Sequence, residues 1–104
     1  MNNDKALQML SMAMRAGKVT SGEFMTENSV KDGSACLVIV ASDASDNTKK
    51  KFTDMCSFYE VPILIYADKD SLGHMIGREF RASLSVNDEG LAKEIMKRAE
   101  VVSN

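Results

Sequence analysis

The chain has 104 residues, 44% of them hydrophobic, and a formal charge of -2 at pH 7. That length supports one compact domain spanning 1–104 and is too short for two ordinary ones. The slightly acidic balance excludes nucleic-acid binding driven by bulk charge, so any phosphate-binding surface must be a local patch of Lys and Arg.

Met1 to Asp4 is polar and acidic where a secretory signal would be basic and then apolar, and no run approaches a membrane span. A soluble, unprocessed protein is expected. From Asp4, the spacing of Leu7, Leu10 and Met14 predicts a capped amphipathic helix that ends at Arg15 before Gly17. Lys18 to Thr20 reads as a short strand. Glu23 to Asp32 reads as an unusually polar second helix, with Ser21 as its cap and Gly33 as its stop. Cys36 to Ala41 (CLVIVA) is a continuous apolar run of strand length, as expected of an inner strand covered on both faces.

Beyond Asp43, Phe52, Met55, Cys56 and Tyr59 fall at i, i+3, i+4 and i+7, which predicts a helix over Ser45 to Tyr59 that buries this stripe. Val61 to Tyr66 (VPILIY) reads as a second buried strand, with Pro62 near its start. Asp68 to Ser71 then caps a short helix carrying Leu72, Met75 and Ile76, which Gly77 closes. Arg81 to Val86 alternates, with Ala82, Leu84 and Val86 on one face, as in a half-exposed strand. Finally, Asn87 or Asp88 caps a helix with Leu91, Ile95, Ala99 and Val102 facing inward. Helices alternating with short apolar strands predict an α/β/α sandwich around a sheet with some parallel pairing. The eight methionines read as adaptable core filler.

Four segments stand out for chemistry: GKVTSG (Gly17 to Gly22), ASDASDNTKKK (Ala41 to Lys51), LGHMIGR (Leu72 to Arg78) and NDEG (Asn87 to Gly90). Loops that follow the carboxyl ends of strands are the usual ligand sites of open α/β sheets, and helix starts offer free N–H groups to phosphate. In the second segment Ser45, Asn47 and Thr48 bring short hydrogen-bonding groups. Lys49, Lys50 and Lys51 bring cations, at most two of which share a helix face. Taken alone, that segment reads first as a capped helix start with a solvated lysine run.

Catalysis finds little support. His74 is the sole histidine, and Cys36 and Cys56 both sit in apolar segments without the spacing of a metal knuckle or redox pair. Reduced core thiols are expected, and no glycine-rich phosphate loop is present.

In their order, MRAGKVTSGEF, CLVIVASDASDNTKKK, VPILIY and LGHMIGR resemble the YlxQ-type branch of the ribosomal protein L-seven-Ae and L-thirty-e superfamily, over Leu7 to about Leu91. The resemblance implies a three-layer α/β/α sandwich with a mixed four-stranded sheet and no enzymatic activity, cofactor or metal. The reduced thiols and the polar N-terminus fit a cytoplasmic protein, a monomer is expected, and the expected partner is structured RNA, ribosomal RNA in particular, with ribosomal or assembly proteins nearby.

Kink-turn binders of this superfamily open the second helix with a Gly followed by x-Asn-Glu-x-x-Lys, whose side chains read sheared G·A pairs. A loop before the last strand packs apolar groups over an extruded base. Aligned on Gly22 and Gly33, this chain places Phe24 and Met25 at the Asn and Glu positions and Asn28 at the Lys position. Each lost base-edge contact removes about 1–3 kcal/mol of discrimination. The resemblance locates the remaining RNA face at Gly22, Glu23, Ser45, Asn47, Lys49, Lys50, Lys69 and the Ile76-Gly77-Arg78 loop. Lys18, Arg78 and Arg81 are expected on phosphates, and Phe24 is expected either to stack on a base or to lie in the core. Two other readings are a protein-interaction module on the same fold that has lost RNA recognition, favoured by the acidic balance, and a Cys-His thiol enzyme.

Overall fold

A computed structural model of the chain describes residues 4–103, and the side chains of residues 4–100. The helix α1 (Lys5–Arg15) starts at Asp4, whose carboxylate accepts the Leu7 N–H at 3.0 Å. It is followed by β1 (Val19–Ser21), α2 (Glu23–Lys31), β2 (Leu37–Val40), α3 (Asp46–Tyr59), β3 (Ile63–Ile65), α4 (Lys69–Met75), β4 (Ser83–Val86) and α5 (Glu89–Ser103). Asp88 caps α5 by accepting the Leu91 N–H. Met1 to Asn3 and the Val102 side chain lie outside the described residues.

The strands form one sheet in the order β1-β4-β2-β3. Pairing of β2 with β3 is parallel, whereas β4 runs antiparallel to both β1 and β2. The sheet is therefore mixed, and β1, β2 and β3 all point the same way. α1 packs against α4 and α5, and α2 packs against α3, which gives helix layers on both faces of the sheet. Leu10, Leu37, Ile39, Phe52, Leu72, Leu84 and Ile95 are fully buried at its centre.

Register explains two departures from the periodicity. Residues directly paired across strands point to the same face. Leu37 and Ile39 of β2 thus share a face with Val86 and Leu84 of β4, while Val38 and Val40 share the other with Ser85 and Ser83. β4 is a central strand buried on both sides, not a half-exposed one. Its serines alternate because they face the polar helix α2. The hydroxyl of Thr20 lies 2.9 Å from that of Ser29 and 2.6 Å from that of Ser85, which in turn donates to Asn87 Oδ1. α2 buries Thr26, Ser29 and Val30, so its polar sequence matches a polar seam beneath it. Conversely, β3 is an edge strand, not a buried one, and Ile65 is exposed.

Smaller differences are local. Ser21 ends β1 and does not cap α2; that position is taken by Gly22 at φ 92°, with no side-chain cap. Such a φ carries a steric penalty for any residue with a Cβ. On α3, Phe52 and Cys56 are buried and Met55 is partly so, but Tyr59 is exposed. Cys36 is only partly buried. Met9, Met14, Met55, Met75 and Met96 pack against the core from its margin, whereas Met12 and Met25 are exposed.

Candidate nucleic-acid interface

Because β1, β2 and β3 share a direction and β4 opposes it, their carboxyl ends meet the amino end of β4 at one edge of the sheet. Four connections therefore converge there: Gly22, the Ala41 to Ser45 turn, Tyr66 to Asp68, and the return loop from Ile76 to Ala82. Hydrogen bonds stitch them together. Gly22 N–H donates to Ser83 O at 3.0 Å and Ala41 N–H to Ala82 O at 2.9 Å. Both the N–H and the hydroxyl of Ser42 donate to Ala67 O, and Lys69 N–H donates to the Asp43 carboxylate at 2.9 Å. Arg81 Nε donates to the Ser21 hydroxyl at 3.1 Å, tying the return loop to the start of α2. Ala67 adopts a left-handed φ of 62° in this cluster, a conformation that non-glycine residues hold only where the surroundings enforce it.

The return loop is shaped by α4. Its Asp68 cap accepts the Ser71 N–H at 2.7 Å, and this bond holds the Asp68 carboxyl below its usual range. Arg78 N–H then donates to Gly73 O, and Arg81 N–H to Lys69 O, so the chain turns at Gly77 and runs back along the helix. A Cβ on Gly73 would stand 2.4 Å from Phe80 Cα, 2.7 Å from Phe80 N and 2.8 Å from the Glu79 carbonyl carbon. Only glycine admits this approach. Phe80 is left 55% exposed, with Lys69 Nζ 5.9 Å from its ring centre, within cation–π range.

The expected site residues divide by environment. Gly22, Glu23, Ser45, Lys69 and Arg81 lie at or beside the shared edge, with Gly77 and Arg78 on the exposed tip of the return loop. Ile76 is buried, so the exposed apolar group of this loop is Phe80, which sequence reasoning passed over. Its signal was a lone aromatic between the charged residues Glu79 and Arg81 just after a glycine turn. Ser45 is occupied as the α3 cap, accepting the Thr48 N–H and donating to the Thr48 hydroxyl, while Asn47 is exposed on the first turn. Lys18 lies at the start of β1, about 10 Å along the strand from Ser21, and accepts the Asn87 N–H at the opposite edge. It does not join the cluster.

Charges within the lysine run diverge. Lys51 bridges the two helices on its face, with Glu23 and Glu27 both at 2.9 Å. Glu27 and then Glu23 hold its ammonium above the usual lysine range, and Lys51 followed by Lys31 holds the Glu27 carboxyl below the usual glutamate range. Lys50 pairs with Asp54 in open solvent. Lys49, Lys69, Arg78 and Arg81 make no ion pair among the described residues. On α2, Phe24 is 72% exposed and Met25 and Asn28 are exposed beside it, so Phe24 is not a core residue.

Cys56 is buried in α3 and burial pushes its thiol up to about 11, while His74 is exposed on α4 in the opposite helix layer. Among the described residues no three or more His, Cys, Asp or Glu side chains gather to hold a metal, and no helix is long and apolar enough to cross a membrane. A groove lined by Cys36, Pro62, Ala92 and Met96 opens at the other edge of the sheet, away from the four convergent connections.

Residues 4–96 match the ribosomal protein L7Ae/L30e/S12e/Gadd45 family. The chain belongs to this family. Among its relatives, it is 39% identical to the RNA-binding protein YlxQ of Enterococcus faecium over 99 residues, 95% of each chain. It is 40% identical to the RNA-binding protein YlxQ of Bacillus subtilis over 88 residues, 85% of this chain and 88% of that one. A solved structure from Bacillus halodurans superposes with a TM-score of 0.91 at 33% identity, covering 94% of this chain and 99% of that one. The mixed four-stranded α/β/α sandwich expected from the family resemblance is the fold found.

Proposed function

We propose that this chain is a non-enzymatic, cytoplasmic RNA-binding protein of one domain, associated with ribosomal RNA, that grips structured, kink-turn-like RNA across the shared sheet edge. The observation that carries the reading is the convergence of the Gly22 turn, the Asp43 turn and the return loop beside four basic side chains free of ion pairs among the described residues. On a chain of net charge -2, this is the local patch that phosphate binding requires. Lys69, Arg78 and Arg81 hold the RNA backbone from the return loop, and Lys49 does so from α3. Lys50 and Lys51 contribute less, since each is already neutralised by a carboxylate.

A labelled kink-turn RNA and a straight duplex of equal length, titrated at several salt concentrations against wild type and a Lys49/Lys69/Arg78→Ala variant, test the reading. Wild type binds the kink-turn RNA more tightly, with affinity falling steeply with salt. The triple variant flattens that slope by about 2–3 in log–log terms. Equal, negligible affinity for both RNAs at low salt refutes the proposal and favours a protein-interaction module, consistent with the apolar exposure of Phe24 and Met25.

A further inference from the structure

The exposed face of α2 carries an unshielded aromatic ring, Phe24. We infer that Phe24 is a stacking platform for a single unpaired base, and that Asn28 reads the edge of that base and favours adenine. This rests on the RNA-binding reading above and specifies what the RNA must present.

Helical spacing puts Phe24 and Asn28 one turn apart on the same stripe, their Cβ atoms about 5–6 Å from each other. Thr26, Ser29 and Val30 occupy the opposite, buried stripe. At 72% exposure the Phe24 ring makes no aromatic or cation–π contact among the described residues, so a flat group can cover it without displacing a partner. Met25 flanks it at 49% exposure and widens the apolar rest. The Asn28 side chain is exposed, and its carboxamide offers a donor and an acceptor side by side. That pair matches the N6–H and N7 edge of adenine in bidentate fashion.

What occupies this face follows from its surroundings. Phe24 lies two residues beyond Gly22, whose N–H is bonded to Ser83 at the convergent edge, and Arg81 is tied to Ser21 at the same point. Arg81, with Lys69 bonded to it through the backbone, therefore attracts a polyanion to the edge from which α2 starts, and an RNA anchored there by its backbone has bases within reach of the ring. Base pairs inside a continuous helix hide their faces, so a nucleotide resting on Phe24 must already be unstacked. The substrate class is thus RNA with an unpaired adenosine beside a gripped backbone.

Fluorescence anisotropy with three labelled RNA hairpins of identical stem tests this: one fully paired, one with a single unpaired adenosine, one with a single unpaired uridine. Wild type prefers the adenosine bulge. Phe24→Ala weakens that complex by roughly 5- to 150-fold, the range that a base–aromatic stack supplies, without changing affinity for the paired hairpin. Phe24→Tyr retains the preference, and Phe58→Ala, an equally exposed ring at the far end of α3, leaves all three affinities alone. A Phe24→Ala variant that binds the bulged and paired hairpins in the wild-type ratio overturns the stacking assignment while leaving the RNA-binding reading intact. Equal wild-type affinity for the adenosine and uridine bulges overturns the role of Asn28. Failure of wild type to bind any of the three hairpins at low salt overturns this inference, while the kink-turn titration above decides the reading beneath it.

Discussion

Replacing Gly73 by Ala inverts a familiar rule. Inside a helix such a change ordinarily stabilises by about 1 kcal/mol, because Ala restricts the unfolded chain and suits the helical backbone. Here the new methyl carbon meets Phe80 Cα at 2.4 Å, Phe80 N at 2.7 Å and the Glu79 carbonyl carbon at 2.8 Å. Comfortable carbon–carbon separation is about 3.5–4.0 Å, so the return loop must retreat by roughly 1 Å or more. The obstacle is backbone, held by the bonds from Arg78 to Gly73 and from Arg81 to Lys69, and it cannot swing away as a side-chain tip can. Overpacking of this kind costs about 1–3 kcal/mol, which offsets the helix gain and leaves a net loss of about 1 kcal/mol. For a domain of this size that loss lowers Tm by roughly 4–8 °C in a calorimetric or circular-dichroism melt. RNA affinity falls as well, because Phe80 and Arg81 move with the loop. A Gly73→Ala protein that melts at or above the wild-type temperature refutes the close-packing account of this glycine.

Thr26→Val is expected to stabilise by about 1 kcal/mol, visible as a raised denaturation midpoint with unchanged slope, because the Thr26 hydroxyl is buried without a partner. Asp4→Ala removes the α1 cap together with the 2.7 Å hydrogen bond from Tyr66 and should cost about 1–3 kcal/mol in urea unfolding. In the same variant, spectrophotometric titration should show the Tyr66 phenol ionising more readily but still above the usual range, since burial, the largest single cause of its raised value, is left in place. Glu27→Gln is a test of pH dependence. The wild-type carboxyl is held below its ordinary value of 4.5 in the folded protein, so its contribution is fully present above that pH and is lost as pH falls through the depressed folded value. The variant should therefore show a shallower acid decline in Tm than wild type below that pH.

Much of the backbone plan is legible in the residue order, because the devices that start and stop helices act within four residues. Asp4, Ser45, Asp68 and Asp88 each accept the N–H three residues on, where local chemistry places it. The continuous apolar run of β2 likewise announces a strand covered on both faces. Helical spacing alone separates Lys49, Lys50 and Lys51 around α3.

Long-range pairing decided the rest. The serines of β4 alternate with apolar residues as a solvent-facing strand would, and only the register and the packing of α2 on β4 show that they are covered, with Ser85 bonded to Thr20 and Thr20 to Ser29. Buried hydroxyl groups carry the same pattern in the sequence as hydroxyl groups facing water, whether bonded to one another like Ser85 and Thr20 or left without a partner like Ser83 and Thr26. Lys51 reads as one cation in a run, yet its charge is spent on carboxylates 24 and 28 residues away on another helix. Whether Phe24 is core or surface depended on which stripe of α2 turned inward, and the polar seam chose Thr26 and Ser29. Likewise, the exposure of Phe80 follows from the contact that Gly73 permits, a distance no spacing encodes. The sequence by itself determined the helices, the strands and the turns between them. The tertiary fold alone decided which of their ends share an edge, because strand direction and register are set by pairing between segments far apart in the chain.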